Sequence, residues 1–393
     1  MTPTERRASL SLASVFALRM LGLFVVLPVF ALEAARYPGG LDGARVGLAM
    51  GMYGLTQALL QIPFGIASDR FGRKPVMLVG LAIFAAGSVV AAMATSLDGL
   101  LVGRALQGAG AISAAVTALL ADLTRPQVRT KGMALVGVSI ALMFTVSLVL
   151  APVLAARVGL SGLFALTACL AVAGMAVVLW WVPPAPAAQR DISPLHGLKT
   201  VLSNPQLLRL NVGVFSLHAI QLAMWLVLPA LLVQAGLDKA QHWQVYLPAV
   251  IASVLVLGGV LFRLERKGYL RGVLLTAVTC LLVVQLGLWL YVDSHAVPSV
   301  WLLGGLLFGF FLGFNALEAS QPSLASKFAP TPMRGAALGV FNTCQSLGFF
   351  VGGALGGAVL AWGGPTTLFA VTSVWLLLWL GVAWGLNPKL AVH

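Results

Sequence analysis

The sequence predicts an all-α integral membrane protein: twelve transmembrane helices arranged as two pseudo-symmetric six-helix bundles. Three observations carry that expectation. The chain is 60% hydrophobic and only 9% charged, with a mean hydropathy of +0.98, whereas a soluble domain carries about 25% charged residues. So few charges cannot coat a water-facing surface of 393 residues, and lipid must be the solvent for most of the chain. The Lys and Arg residues fall in short stretches between apolar runs, and two short motifs recur at nearly one offset in the two halves.

A spanning helix needs about 20 mostly apolar residues. Twelve runs meet that length: 9–32, 44–67, 75–95, 98–120, 130–155, 161–183, 206–233, 241–262, 271–291, 297–325, 333–360 and 365–386. The first is preceded by Arg6 and Arg7, is too long for the apolar region of a signal peptide, and ends in no small-residue cleavage site, so it is a span. Several junctions are short and fit antiparallel neighbours. The widest polar gap, 184–205, follows Pro183-Pro184 and contains Pro186, Arg190, Asp191, His196 and Lys199. It lies near the chain midpoint and reads as a cytoplasmic linker between an N-terminal bundle, 1–183, and a C-terminal bundle, 206–393.

Orientation follows from the basic residues. With a cytoplasmic N-terminus, 18 of the 24 Lys and Arg residues face the cytoplasm, Arg36, Arg45, Arg157 and Lys239 face the other side, and Arg19 and Arg104 lie within spans. That asymmetry is a positive-inside pattern, and it favours an even helix count with both termini on one side. The formal charge of +13 therefore writes topology and does not call for nucleic acid. The repeat reads Asp69-Arg70-Phe71-Gly72 against Glu265-Arg266-Lys267-Gly268, an offset of 196, and Lys131-Gly132-Met133-Ala134-Leu135 against Arg334-Gly335-Ala336-Ala337-Leu338, an offset of 203. Duplication of a six-helix unit is the expectation.

The most specific motif is Gly65-Ile66-Ala67-Ser68-Asp69-Arg70-Phe71-Gly72-Arg73-Lys74-Pro75. Gly65 would let a neighbouring helix approach, Gly72 permits a turn with positive φ, and Pro75 suits the first turn of the next helix. Arg70, Arg73 and Lys74 hold the turn in the cytoplasm, and Asp69 is free to pair with them or with a helix N-terminus. The alternative is a charged hairpin that only sets topology.

This segment resembles the signature loop, motif A, of the major facilitator superfamily. Arg104-Ala105-Leu106-Gln107-Gly108 in the fourth run resembles the family's motif B. The resemblance covers the whole chain. Leu18-Arg19-Met20-Leu21-Gly22, Tyr53-Gly54-Leu55-Thr56-Gln57 and the His242-Trp243 stretch are similar to YajR-type bacterial inner-membrane transporters. Some of those carry a small soluble C-terminal domain, which this chain is expected to lack. The resemblance implies that Asp69 faces the start of the eleventh helix and latches an outward-open state, with Asp122, Arg125 and Arg129 in the same cytoplasmic charge network. The alternative for these three is a solvated loop. Ala151-Pro152 stands where the superfamily's drug/proton antiporters show Gly-Pro, a departure from that subgroup.

Within the spans the ionisable residues are Arg19, Arg104, His218 and Glu318. A charge near the bilayer centre costs at least about 2.5–3.5 kcal/mol on insertion scales, so such residues usually face a cavity. Glu318, the only acid deep in a span, is the candidate proton site, its charge offset by Arg19 or Arg104. The alternative is a permanent structural ion pair. Polar residues also share helical faces: Gln57 with Gln61, Arg104 with Gln107, His218 with Gln221 and then Trp225, Asn315 with Glu318, and Asn342 with Gln345. Lipid would reject these faces, so they are expected to line a pathway; the alternative is that several only bridge helices. Gly348, Gly352, Gly353, Gly356 and Gly357 form overlapping small-xxx-small steps, read first as packing and alternatively as a rocking surface. Cys169, Cys280 and Cys344 sit in apolar runs and read as small core residues.

No dinucleotide, Walker, zinc-protease or nucleophile–base pattern occurs, so neither an enzyme activity nor a cofactor or metal is expected. The reading is a secondary transporter of the bacterial inner membrane, monomeric, moving a small drug-like or sugar-like solute by alternating access in proton-coupled efflux. A membrane-embedded enzyme or a non-transporting sensor on the same scaffold are the alternatives.

Overall fold

The computed structural model describes residues 1–184, 201–267, 269–294, 299–330 and 333–387. Among these every regular element is helical. The linker residues Arg190, Asp191, His196 and Lys199, and Gly268 of the second repeat motif, lie outside the described residues.

The first apolar run is not one helix. α1 (Pro3–Phe24) is capped by Thr2, whose hydroxyl accepts from the Glu5 N–H at 3.2 Å while the Glu5 carboxylate accepts from the Thr2 N–H at 2.7 Å. It ends ahead of Pro28, which a helix interior does not tolerate, and a short α2 (Phe30–Ala34) follows. α3 (Gly43–Phe71) and α4 (Arg73–Ala92) meet at Gly72, φ 95°. The fourth run, expected as a single helix, breaks at Gly110-Ala111-Ile112 into α5 (Leu97–Ala109) and α6 (Ser113–Asp122).

α7 (Pro126–Ala176) has 51 residues. At about 1.5 Å per residue it would be roughly 76 Å long, too long for one crossing of a core about 30 Å thick. Gly159 (φ 63°, ψ −170°) interrupts it. A π-helical turn, Val177–Trp181, ends this half. Then come α8 (Pro205–Gln234), a 3₁₀ turn at Lys239–Gln241, α9 (Trp243–Arg266), α10 (Leu270–Asp293) and α11 (Val300–Phe328). α12 (Arg334–Trp384) again has 51 residues and is interrupted at Gly364 (φ 69°, ψ −173°). The two interruptions stand 205 positions apart, close to the offset of the sequence repeat. Nine helical stretches among the described residues are long and apolar enough to cross a membrane.

The chain divides into two units. One comprises Met1–Leu41 and Met52–Ile192, the other Asp42–Gly51 and Ser193–His393. In the first, Leu12, Val15 and Phe16 of α1 pack with Met77 and Leu81 of α4, Val116 and Leu119 of α6 and Val136 of α7. In the second, every α8 residue from Ser216 to Pro229 is buried, the pattern of a helix apolar on all sides. It lies against the glycine stripe of α12. A Cβ added at Gly348 or Gly352 would strike the backbone at Phe215 or Ala219, and one at Gly356 would press on Ala223. Gly353 and Gly357 approach Gly47 and Gly43 of the same unit equally closely. Side chains smaller than a methyl group are what allow these contacts.

The outer surfaces are apolar: Val138, Leu142, Leu255, Val283 and Leu378 are all exposed, as lipid contact requires. Trp180, Trp301, Trp362 and Trp384, also exposed, sit near helix ends or interruptions, where amphipathic rings anchor at membrane interfaces. The cysteines are not core residues as expected: Cys169 is exposed, and Cys280 and Cys344 are half-buried. Their apolar runs are lipid-facing on one side, so an apolar neighbourhood in sequence does not mean interior.

Candidate functional site

In the first unit the polar centre is built around Arg19, in the middle of α1 and 1% exposed. Its Nη1 donates to Ser113 Oγ at 3.1 Å, and its Nη2 donates to Tyr53 OH at 2.9 Å, Gln57 Oε1 at 3.2 Å and the Gly110 carbonyl at 3.2 Å. The break in the fourth run supplies two of these acceptors. A helix that stops at Ala109 and restarts at Ser113 turns the Gly110 carbonyl and the Ser113 hydroxyl toward α1. The Arg19 guanidinium also lies 5.6 Å from the centre of the Phe84 ring. Arg104 stands 5.0 Å from the Tyr53 ring centre and donates to Gln107 Oε1 at 3.0 Å; Gln107 in turn donates to Ser88 Oγ at 2.8 Å. Arg19, Gln57, Arg104 and Gln107 are thus gathered around one tyrosine. Gln61, one turn beyond Gln57, is 1% exposed, and neither atom of its amide has a hydrogen-bond partner among the described residues.

In the second unit the centre is His218 on α8. Its Nδ1 lies 2.9 Å from the Val214 carbonyl, which can only accept, so the Nδ1 carries hydrogen and Nε2 is the basic nitrogen. Nε2 meets Gln345 Nε2 at 2.8 Å and Glu318 Oε1 at 3.1 Å. The Phe314 and Phe349 rings flank the imidazole edge-on at 5.9 and 4.8 Å between centroids. The His218 side chain is buried, while that of Glu318 is 35% exposed. Gln221 and Trp225 continue the same face, buried, with Gln221 Oε1 and Trp225 Nε1 unbonded among the described residues. Asn315 is turned elsewhere, donating to Ser253 Oγ at 3.0 Å. Asn342 sits half-buried one turn before Gln345, and its carbonyl accepts from Ser346 Oγ at 3.0 Å.

One expectation is therefore corrected. Glu318 is paired with His218, and the hydrogen bonds described for Arg19 and Arg104 end on neutral groups. The reason is local: His218 lies on a helix packed against α11, which carries Glu318.

At the charged hairpin, Arg73 is the hub. It pairs with Asp69, lies 3.1 Å from Asp122 through Nε, and donates to Ser68 Oγ at 2.8 Å. Lys74 donates to the Val182 carbonyl at 2.9 Å, and Arg70 covers the Phe71 ring. Gly72 has the positive φ expected of it. Gly65 is not held by a close approach: a Cβ there would meet only Ala114, at an ordinary 3.6 Å. The expected network is also divided. Asp122 joins Arg73, but Arg125 clamps Glu5 at 2.7 and 3.2 Å, and Arg129 donates back to the Ala121 carbonyl at 3.0 Å. A residue in the first turn of α1, remote in sequence, takes the charge that Asp122 was expected to share.

Residues 12–353 match the Major Facilitator Superfamily. The chain belongs to that superfamily. This superfamily member is 42% identical over 386 residues to the inner membrane transport protein YajR of Escherichia coli (strain K12), covering 98% of this chain and 84% of that protein. It is 29% identical to the multidrug resistance protein MdtH of Aeromonas salmonicida, covering 86% of this chain and 84% of that one. The solved nucleoside transporter NupG aligns with a TM-score of 0.72 at 14% identity, covering 98% of this chain and 99% of that structure, which shows the shared fold alone. The protein is a multi-pass membrane transporter. Sequence reasoning missed Tyr53, Ser88 and Ser113 at its first centre. Tyr53, four positions before Gln57, was the one with a readable signal.

Proposed function

We propose that this chain is a proton-coupled secondary transporter of the inner membrane, expelling a small solute by alternating access of two six-helix halves. Counting each of the two interrupted elements twice and including α3 brings the nine membrane-length stretches to the twelve spans this reading needs. The pathway would draw on Arg19, Gln57, Gln61, Arg104, Gln107, His218, Gln221, Trp225, Asn342, Gln345 and Glu318. The hairpin of Asp69, Gly72 and Arg73, with Asp122, would act as the conformational switch. The name of MdtH is consistent with export of drug-like compounds.

The observation that carries the coupling is the His218–Glu318–Gln345 constellation. With hydrogen fixed on Nδ1, two electron-rich atoms, Nε2 and Glu318 Oε1, stand 3.1 Å apart. That contact is favourable only with a proton between them, on the imidazole or on the carboxyl. When the proton leaves, Nε2 keeps a partner by accepting from the Gln345 amide at 2.8 Å. The pair can therefore load and release one proton without leaving a buried nitrogen bare. A ligand shifts a conformational equilibrium only by its differential affinity for the two states, so proton binding at this pair would bias the cycle by that difference.

Infrared difference titration of purified protein tests this without knowing the solute. A carboxyl band that responds to pH should be present in the wild type and absent from Glu318→Gln, and His218→Asn should alter it. A wild type with no such band, or a band that survives Glu318→Gln, would refute the coupling.

A further inference from the structure

The two units are electrostatically unlike, and the first holds an unbalanced charge. Arg19 is 1% exposed, and all four of its described hydrogen bonds end on neutral oxygens: a serine, a tyrosine, an amide and a backbone carbonyl. Its Nε is buried and bonded to nothing among the described residues. The first unit's described ion pairs are all elsewhere: Glu5 with Arg125, Glu33 with Arg36, and Asp69 and Asp122 with Arg73. Each of these lies at a helix end or hairpin. A second guanidinium, that of Arg104, lies over the ring of the same tyrosine, Tyr53, whose hydroxyl accepts from Arg19.

A buried cation ordinarily has an anionic partner, because desolvating it is costly. Bracing the broken helix does not require a charge: a neutral donor could serve the Gly110 carbonyl and the Ser113 hydroxyl. One helical turn beyond Gln57, which accepts from this cation, stands the unbonded amide of Gln61, and Phe84, beside the guanidinium, packs with Tyr53, Ala171 and Leu23. We infer that the solute is an amphipathic organic anion, its carboxylate held by the Arg19 guanidinium, with Gln61 supplying a further polar contact and the Phe84 wall its apolar body. The fork of a guanidinium matches a carboxylate geometrically and strengthens each bond by charge. This rests on the transporter reading and names its substrate class: an anion bound in one unit, a proton in the other.

The test is binding, not transport. Purified protein in phosphatidylcholine nanodiscs is challenged in a thermal-shift screen with a panel of aromatic and aliphatic carboxylates and with the primary amide of each. Carboxylates should raise the unfolding temperature and their amides should not. Arg19→Gln should weaken the best carboxylate by about tenfold or more, while Arg19→Lys, keeping the charge, should retain more of the affinity than Arg19→Gln. Gln61→Leu, which leaves the brace intact, should weaken binding too and covers the case that Arg19 variants do not fold. Equal stabilisation by amides, no stabilisation by any carboxylate, or unchanged affinity in Arg19→Gln would overturn the inference. So would stabilisation only on adding phosphatidylglycerol, since the cation would then belong to a lipid headgroup. Because the probes are read by binding, a failure of proton titration at Glu318 leaves this result standing, and the reverse holds as well.

Discussion

Gly352→Ala adds one methyl group where α12 lies against α8. The new Cβ would fall on the Ala219 carbonyl and Cα, which are backbone atoms that cannot rotate away. The two helices must separate locally, and overpacking of this kind costs about 1–3 kcal/mol. Against it stands the gain of replacing glycine by alanine in a helix, about 1 kcal/mol. The same element supplies its own control: at Gly339 and Gly381 nothing lies within 4 Å of a built Cβ, so alanine there should keep the gain alone. The difference between Gly352→Ala and Gly339→Ala is then the steric term. For a unit the size of Asp42–Gly51 with Ser193–His393, about 1 kcal/mol moves the midpoint by roughly 2–4 °C, so thermal unfolding followed by intrinsic fluorescence in one detergent should separate the variants by about 2–12 °C. Midpoints within a degree of each other would mean that the helices do not approach as described.

Gly72→Ala forces a side chain into φ 95°, ψ 148°, a region almost reserved for glycine, and should cost about 1–3 kcal/mol; a thermal midpoint equal to wild type would refute the strain. Asp69→Asn should fold normally, since Arg73 keeps Asp122 and Ser68, yet slow transport in proteoliposomes; an undiminished rate removes the hairpin from the switching cycle. Tyr53→Phe takes one acceptor from Arg19 and should lower stability by about 1 kcal/mol, read by denaturant titration, with no loss if the hydroxyl is dispensable. Arg125→Ala should lower the thermal midpoint by an amount that shrinks as salt is raised, because the Arg125 side of its pair with the buried Glu5 is open to solvent; a salt-independent loss would point to packing instead.

The membrane class was legible because composition alone decides it, and the positive φ of Gly72 because one sequence pattern demanded it. The glycine stripe of α12 was read as packing for the right physical reason, the absence of a side chain at successive contact positions. What escaped the sequence was contact between distant residues. Nothing near Glu318 announces His218, 100 positions earlier, and nothing near Arg125 announces Glu5. The break at Gly110-Ala111-Ile112 was hidden by its chemistry: neither proline nor charge stands at the break, so an apolar window slides straight across it. Pro28 gave the opposite signal, and α1 does stop ahead of it.

The broken fourth run also bears on how the first unit is assembled. Backbone whose helical ladder is interrupted cannot rest among acyl chains; it is stable only where protein surrounds it. Here the surrounding includes a side chain of α1, reaching a carbonyl and a hydroxyl some ninety residues further along the chain. The interrupted backbone is therefore stable only once α1, α5 and α6 stand together, so the break belongs to the assembled first unit and not to any one of its helices alone.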